Sequence, residues 1–140
     1  MKFLRLTAGP YTFVARLEET IAPRTCAAFE RQLPFRRPMI QARWSGQAGF
    51  IPLGSFDLGV GLENATSYPA PGEILYHPPG VSEAEILLPY GPTRFASKVG
   101  QLAGNHFLTI VEGQEQLAKM GEHILWRGAV DVEFTEMLPR

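Results

Sequence analysis

Arg43 and Trp44 stand side by side in the first third of the chain, a guanidinium next to an aromatic ring, which suits a small-ligand pocket holding an anionic or carbonyl group. Glu83 and Glu85 flank Ala84, so on a strand they share one face, and paired carboxylates push each other's pKa values apart. Glu85 runs into Ile86-Leu87-Leu88 and is the one of the two expected to be partly buried. Asn105-His106 opens an apolar run, where a neutral imidazole can bind a ligand or act as general acid or base. Each has a plainer reading: an Arg on the solvent face of a strand, an exposed acidic face, a lone His that serves structure.

Other chemistries lack their residues. His77, His106 and His123 are far apart and no Cys pair accompanies them, so neither a metal site nor another cofactor is expected. Ser45 and Ser97 lack the Gly-x-Ser-x-Gly elbow, and Gly59-Val60-Gly61 lacks the Lys-Ser/Thr of a phosphate loop. Cys26 has no partner for an internal disulfide, falls on a helix's apolar stripe and reads as core, in keeping with a reducing cytoplasm. A net charge of -1, with no basic run longer than Arg36-Arg37, excludes the footprint of a nucleic-acid partner. Met1 to Thr7 has no long hydrophobic region, and no apolar run approaches the ~20 residues needed to span a bilayer, so no membrane partner is expected.

The elements that must position these residues are mostly strands. Residues 2–7 and 11–18 alternate around a Gly9-Pro10 turn and predict a hairpin. Pro23 opens a short helix whose Cys26, Phe29 and Leu33 share a face until Pro34 ends it. Period two returns at Ile40, Ala42 and Trp44, which places Arg43 on a strand, and a further strand follows over about 48–53. Residues 54–72 read as a long loop, 73–77 as a strand before Pro78-Pro79-Gly80, and 84–88 as a strand ended by Pro89-Tyr90-Gly91-Pro92. Phe107 to Val111 is an apolar strand that breaks at Gly113 into an amphipathic helix with Leu117 and Met120 on one face and Gly121 as its left-handed cap. Val130, Val132 and Phe134 alternate with polar residues and predict a half-exposed last strand that closes the sheet. Seven or eight short strands with two short α-helices imply a mainly β fold, a closed antiparallel barrel, and 140 residues are enough for one domain, 1–140, with a real core.

The order of elements, Gly9 to Phe29 with its Ala22-Pro-Arg-Thr25, and Ile110-Val-Glu-Gly113 before a helix together resemble the cyclophilin fold. The match is closer to small bacterial cyclophilin-like barrels of unknown function, on Trp44-Ser-Gly46, Tyr68-Pro-Ala-Pro-Gly-Glu73, Tyr90-Gly91, Phe95-Ala-Ser-Lys98 and Gly104-Asn-His-Phe107. The resemblance implies a site at the barrel face for a small molecule or short peptide, lined by Arg43, Trp44, Asn64, Tyr68, Glu85, Tyr90, Asn105 and His106. In it Arg43 holds an anionic or carbonyl group, Asn64 and Asn105 orient, the aromatics give apolar contact, and Glu85 or His106 moves a proton if there is chemistry. Arg43 occupies the place of the prolyl isomerases' catalytic Arg, and peptidyl-prolyl isomerisation is the alternative. The Phe, Met and Gln that should follow are not matched by Phe50, Ile51 and Leu53, so part of that pocket is expected to be missing. A third reading is a non-catalytic subunit or self-associating barrel, a homo-oligomer.

Overall fold

A computed structural model describes residues 1–137 of the chain. Alternation builds its walls. In β1 (Phe3–Ala8) Leu4, Leu6 and Ala8 are buried, and in β11 (Val130–Glu136) Val130, Val132 and Phe134 are buried, while Arg5 and Asp131 face solvent. β1 pairs with β2 (Tyr11–Leu17) across the Gly9-Pro10 turn and on its other edge with β11, so the first and last strands lie side by side. β11 continues to β3 (Phe35–Gln41), β4 (Gly46–Gly54), β7 (Ala84–Thr93), β6 (Glu73–His77) and β10 (Gly104–Glu112). All neighbours are antiparallel, and β10 pairs back onto β2. The result is a closed eight-stranded antiparallel barrel, mainly β, with two α-helices, as the strand count implied. A two-residue β5 (Ala65–Thr66) adds to β10, and β8 (Ala96–Ser97) with β9 (Gly100–Gln101) forms a separate hairpin.

α1 (Pro23–Glu30) and α2 (Leu117–Arg127) turn their apolar faces to the core shared by the inward strand residues. Phe29 of α1 sits among Phe35, Phe107 and Phe134, each ring centroid 5.1 Å away. Cys26 is buried beside it and its Sγ donates to the Phe107 carbonyl at 3.3 Å; burial pushes its thiol up to about 12, so it is a core residue and no nucleophile. A second, smaller cluster lies on the outside of the wall, where Leu75 of β6, Leu87 of β7 and Ala48 of β4 meet Phe95 and Leu102 of the 94–103 segment.

Three local readings are corrected. β3 ends at Gln41, because the chain turns at 42–45 to enter β4, so Arg43 and Trp44 lie on a bend and not on a strand. β7 does not stop at Pro89 but runs to Thr93, with Pro89 opposite Ala48 and a register shift between Ala48 and Gly46. Gly121 is not a cap. The turn into the helical segment is made by Gly113 at φ +91°, a 3-10 turn spans Gln114–Gln116, and α2 passes through Gly121 to end before Gly128.

Gly121 is there for space: a Cβ would lie 2.1 Å from Cδ1 of Tyr90, whose hydroxyl donates to Gln41 Oε1 at 2.6 Å. Ala would gain about 1 kcal/mol of helix propensity, but overpacking of this kind costs about 1–3 kcal/mol and the ring is pinned at both ends. Gly121→Ala is therefore expected to lower the melting temperature by several degrees, and an equal or raised melting temperature would refute the contact.

Candidate functional site

The bend carrying Arg43 and Trp44 is fastened to the outer hairpin by backbone and serine. Ser45 Oγ donates to the Ala96 carbonyl at 3.0 Å and accepts from the Ala96 N–H at 3.1 Å, and the Arg94 N–H donates to the Ser45 carbonyl at 3.0 Å. The hairpin is anchored in turn by buried Phe95, whose N–H donates to the Ser67 carbonyl at 2.8 Å. Between bend, hairpin and the 81–83 loop, on the outer face of the β4–β7 wall, a groove of about 440 Å³ opens. Arg43 and Lys98 line it from opposite segments; Trp44, Val81 and Val99, all more than half exposed, form an apolar rim; Phe50 and Glu85 come from the strands beneath.

Glu85 is the unusual member. Its residue is only 5% exposed, and among the described residues its carboxyl makes no hydrogen bond or ion pair. Burial, with a smaller push from the nearby Glu83 charge, raises its pKa from 4.5 to about 8, so it is mostly protonated at neutral pH. Across β6 its register partner is His77, and across β4 it is Pro52. His77 is also buried, and its ring meets Phe95 edge-on at 5.5 Å. Its Nδ1 donates to the Ala103 carbonyl at 2.8 Å, while its Nε2 is buried and has no partner among the described residues.

Of the eight residues singled out in the sequence, this groove gathers Arg43, Trp44 and Glu85. The others stand elsewhere. Asn105 is fully buried and all its polar atoms are used: Oδ1 accepts from the Glu63 N–H at 2.9 Å, and Nδ2 donates to the Gly61 carbonyl at 2.8 Å and to Thr25 Oγ1 at 3.1 Å. It holds the 54–64 loop so that the Glu63 carboxylate accepts from the Arg24 and Thr25 N–H groups and the Thr25 hydroxyl, a cap for α1 that Ala22 has no side chain to provide. Burial works against the Glu63 charge, but these donors outweigh it and keep the carboxyl below its usual range. Asn64, in the left-handed region at φ +51°, donates to the His106 carbonyl at 2.9 Å. His106 Nε2 lies 2.7 Å from Thr109 Oγ1, which donates to Glu18, itself held by Arg16 at 2.9 Å, a chain along the β10–β2 wall. Tyr68 is exposed and donates to Gln101 Oε1 at 3.1 Å, while Tyr90 packs against α2.

The model of the DUF3830 family, described as a protein of unknown function, matches residues 4–136. The chain belongs to the DUF3830 family. No curated protein matches it. Among solved structures the DUF3830 chain is similar to McbB in complex with tryptophan, at 13% identity and a TM-score of 0.66, covering 98% of this chain and 45% of McbB. It is also similar to the hypothetical protein AF2241 of Archaeoglobus fulgidus, at 18% identity and a TM-score of 0.65, covering 97% of this chain and 95% of that one. The DUF3830 chain thus spans less than half of McbB, and what it shares with both is the fold. Among its described residues no helix is long and apolar enough to cross a membrane, and no group of three or more His, Cys, Asp or Glu side chains converges.

Sequence reasoning missed Lys98, Phe50 and the rim valines, and it passed over His77. One signal for His77 was present in the DUF3830 chain: a hairpin centred on Val81 pairs 75 with 87, 76 with 86 and 77 with 85, which is the observed register.

Proposed function

We propose that this protein binds a small molecule or short peptide carrying an anionic or carbonyl group in the outer groove between the 42–45 bend and the 94–103 hairpin. One observation carries the reading: Arg43 and Lys98, neither with a hydrogen bond or ion pair among the described residues, line the same cavity as a buried, unpartnered carboxyl and an apolar rim. Unpaired cations beside exposed Trp44, Val81 and Val99 suit an anion with an apolar body, and the volume falls in the range of small-ligand pockets. The closed barrel agrees with distant kinship to the cyclophilins, and the pairing of the first strand with the last supports 1–140 as one domain, residues 138–140 lying outside the described residues.

Ligand-observed NMR against a library of small acids, amides and metabolites tests this, with Trp126→Phe leaving Trp44 as the fluorescent reporter. Arg43→Ala is expected to weaken binding of a carboxylate hit by about ten- to a hundredfold, the worth of one charge-assisted hydrogen bond of about 1.5–3 kcal/mol. A library with no hit perturbing Trp44 would sink the reading. The same variant decides the isomerase alternative: equal rates of wild type and Arg43→Ala on X-Pro peptides in a protease-coupled assay eliminate it.

A further inference from the structure

Resting on that reading of the groove, we propose that the protein catalyses proton transfer at the carbon next to the carbonyl of a small carboxylate, of which a 2-oxo acid is the simplest. Glu85 is the general base, and Arg43 and Lys98 anchor the carboxylate. The cavity pairs two cations at its edges with one buried carboxyl beneath, and that carboxyl holds no part of the fold together, since it caps nothing, bridges nothing and receives no hydrogen bond among the described residues. A carboxylate in water is too weak a base for a C–H bond, and burial removes the hydration that makes it weak. With a pKa of about 8 it matches the pH at which a general base is most effective. A guanidinium can fork between a carboxylate and an adjacent carbonyl oxygen, where charge grows as the proton leaves.

In the step, the Glu85 carboxylate takes a C3 proton; the C–H pair becomes the C2=C3 bond and the carbonyl pair moves onto oxygen, giving the enolate. Return of that proton, or of a solvent deuteron exchanged onto the carboxyl, restores the keto acid, with no change of oxidation state and no leaving group. His77 is a positioning residue: it stands opposite Glu85 in the β6–β7 register, and its buried Nε2 has no hydrogen-bond partner among the described residues. The other charged groups around Glu85 are Glu83 before β7, Arg43 on the bend and Lys98 on the hairpin; β4 contributes only Phe50 and Pro52.

The test follows loss of the C3 protons of phenylpyruvate and 2-oxobutyrate in D2O by NMR, with probe binding measured in parallel by saturation transfer. Wild type should exchange at least about a hundredfold faster than Glu85→Gln, the usual worth of a positioned base. Its rate should rise with pH through a midpoint near 8, Arg43→Ala should raise KM and lower kcat, and His77→Gln should move the midpoint of the pH profile. The melting temperature of Glu85→Gln shows whether that variant is folded. Probes that bind without exchanging above buffer, or Glu85→Gln exchanging at the wild-type rate, overturn the activity and leave the groove standing. If neither probe binds, the activity falls too, while a hit elsewhere in the small-molecule library would keep the groove.

Discussion

Above about pH 8 the Glu85→Gln protein is expected to unfold at a higher temperature than the wild type, and the gap to close as the pH falls toward 4.5. The sign follows from where the proton sits. Below the unfolded pKa both states hold it, and Glu and Gln differ little. Between 4.5 and 8 the unfolded chain releases the proton and the folded one keeps it, so wild-type stability falls by up to about 1.4 kcal/mol per pH unit. Across the window this amounts to roughly 5 kcal/mol at most, a large share of a typical folding free energy of about 5–15 kcal/mol. Above the folded pKa the loss is complete and the curve flattens. Urea titrations of both proteins from pH 4 to 9 measure it, and parallel stability curves would show that the carboxyl is not held in a dry site. That cost is what a residue kept for chemistry, not for folding, is expected to impose.

Asn105→Ala is expected to lose about 2–5 kcal/mol, because one truncation leaves a cavity where a fully buried side chain stood, takes the acceptor from the half-buried Glu63 N–H, and removes the bonds to the Gly61 carbonyl and to the Thr25 hydroxyl, an unmade buried bond being worth about 1–3 kcal/mol. The effect should have an address. With Glu63 no longer held, the Arg24 and Thr25 amides lose their acceptor, and hydrogen exchange there should accelerate more than in β1 or β11. Unchanged protection at Thr25 with an unchanged melting temperature would mean that the loop is held by other contacts.

Much of the barrel was legible because it is written in short-range alternation. β6 lies over the predicted residues 73–77, and β2, α1 and β11 depart by only a few positions. What escaped depends on partners distant in the chain. Gly121 looked like a stop signal, and only the Tyr90 ring across the fold reveals it as a gap left for an aromatic. Pro89 and Pro92 looked like terminators, yet a barrel strand with a register shift carries them. The Trp44 alternation imitated a strand where the chain bends. For the candidate site, Arg43, Trp44 and Glu85 could be named from residue type, and the greater burial of Glu85 from the apolar run after it. Asn105 and His106 carry the same polar chemistry, and nothing local tells that Asn105 is spent on a helix cap 80 residues away or that His106 is engaged with Thr109.

The separation of the two apolar clusters has an evolutionary consequence. The interior is sealed by inward strand residues and two helices, whereas the groove is assembled from a bend, a loop and a hairpin hung on the outside of the wall. Those appendages can be lengthened, shortened or rewritten without disturbing the sealed centre, so descendants of one barrel can diverge in what they accept while inheriting the same chassis.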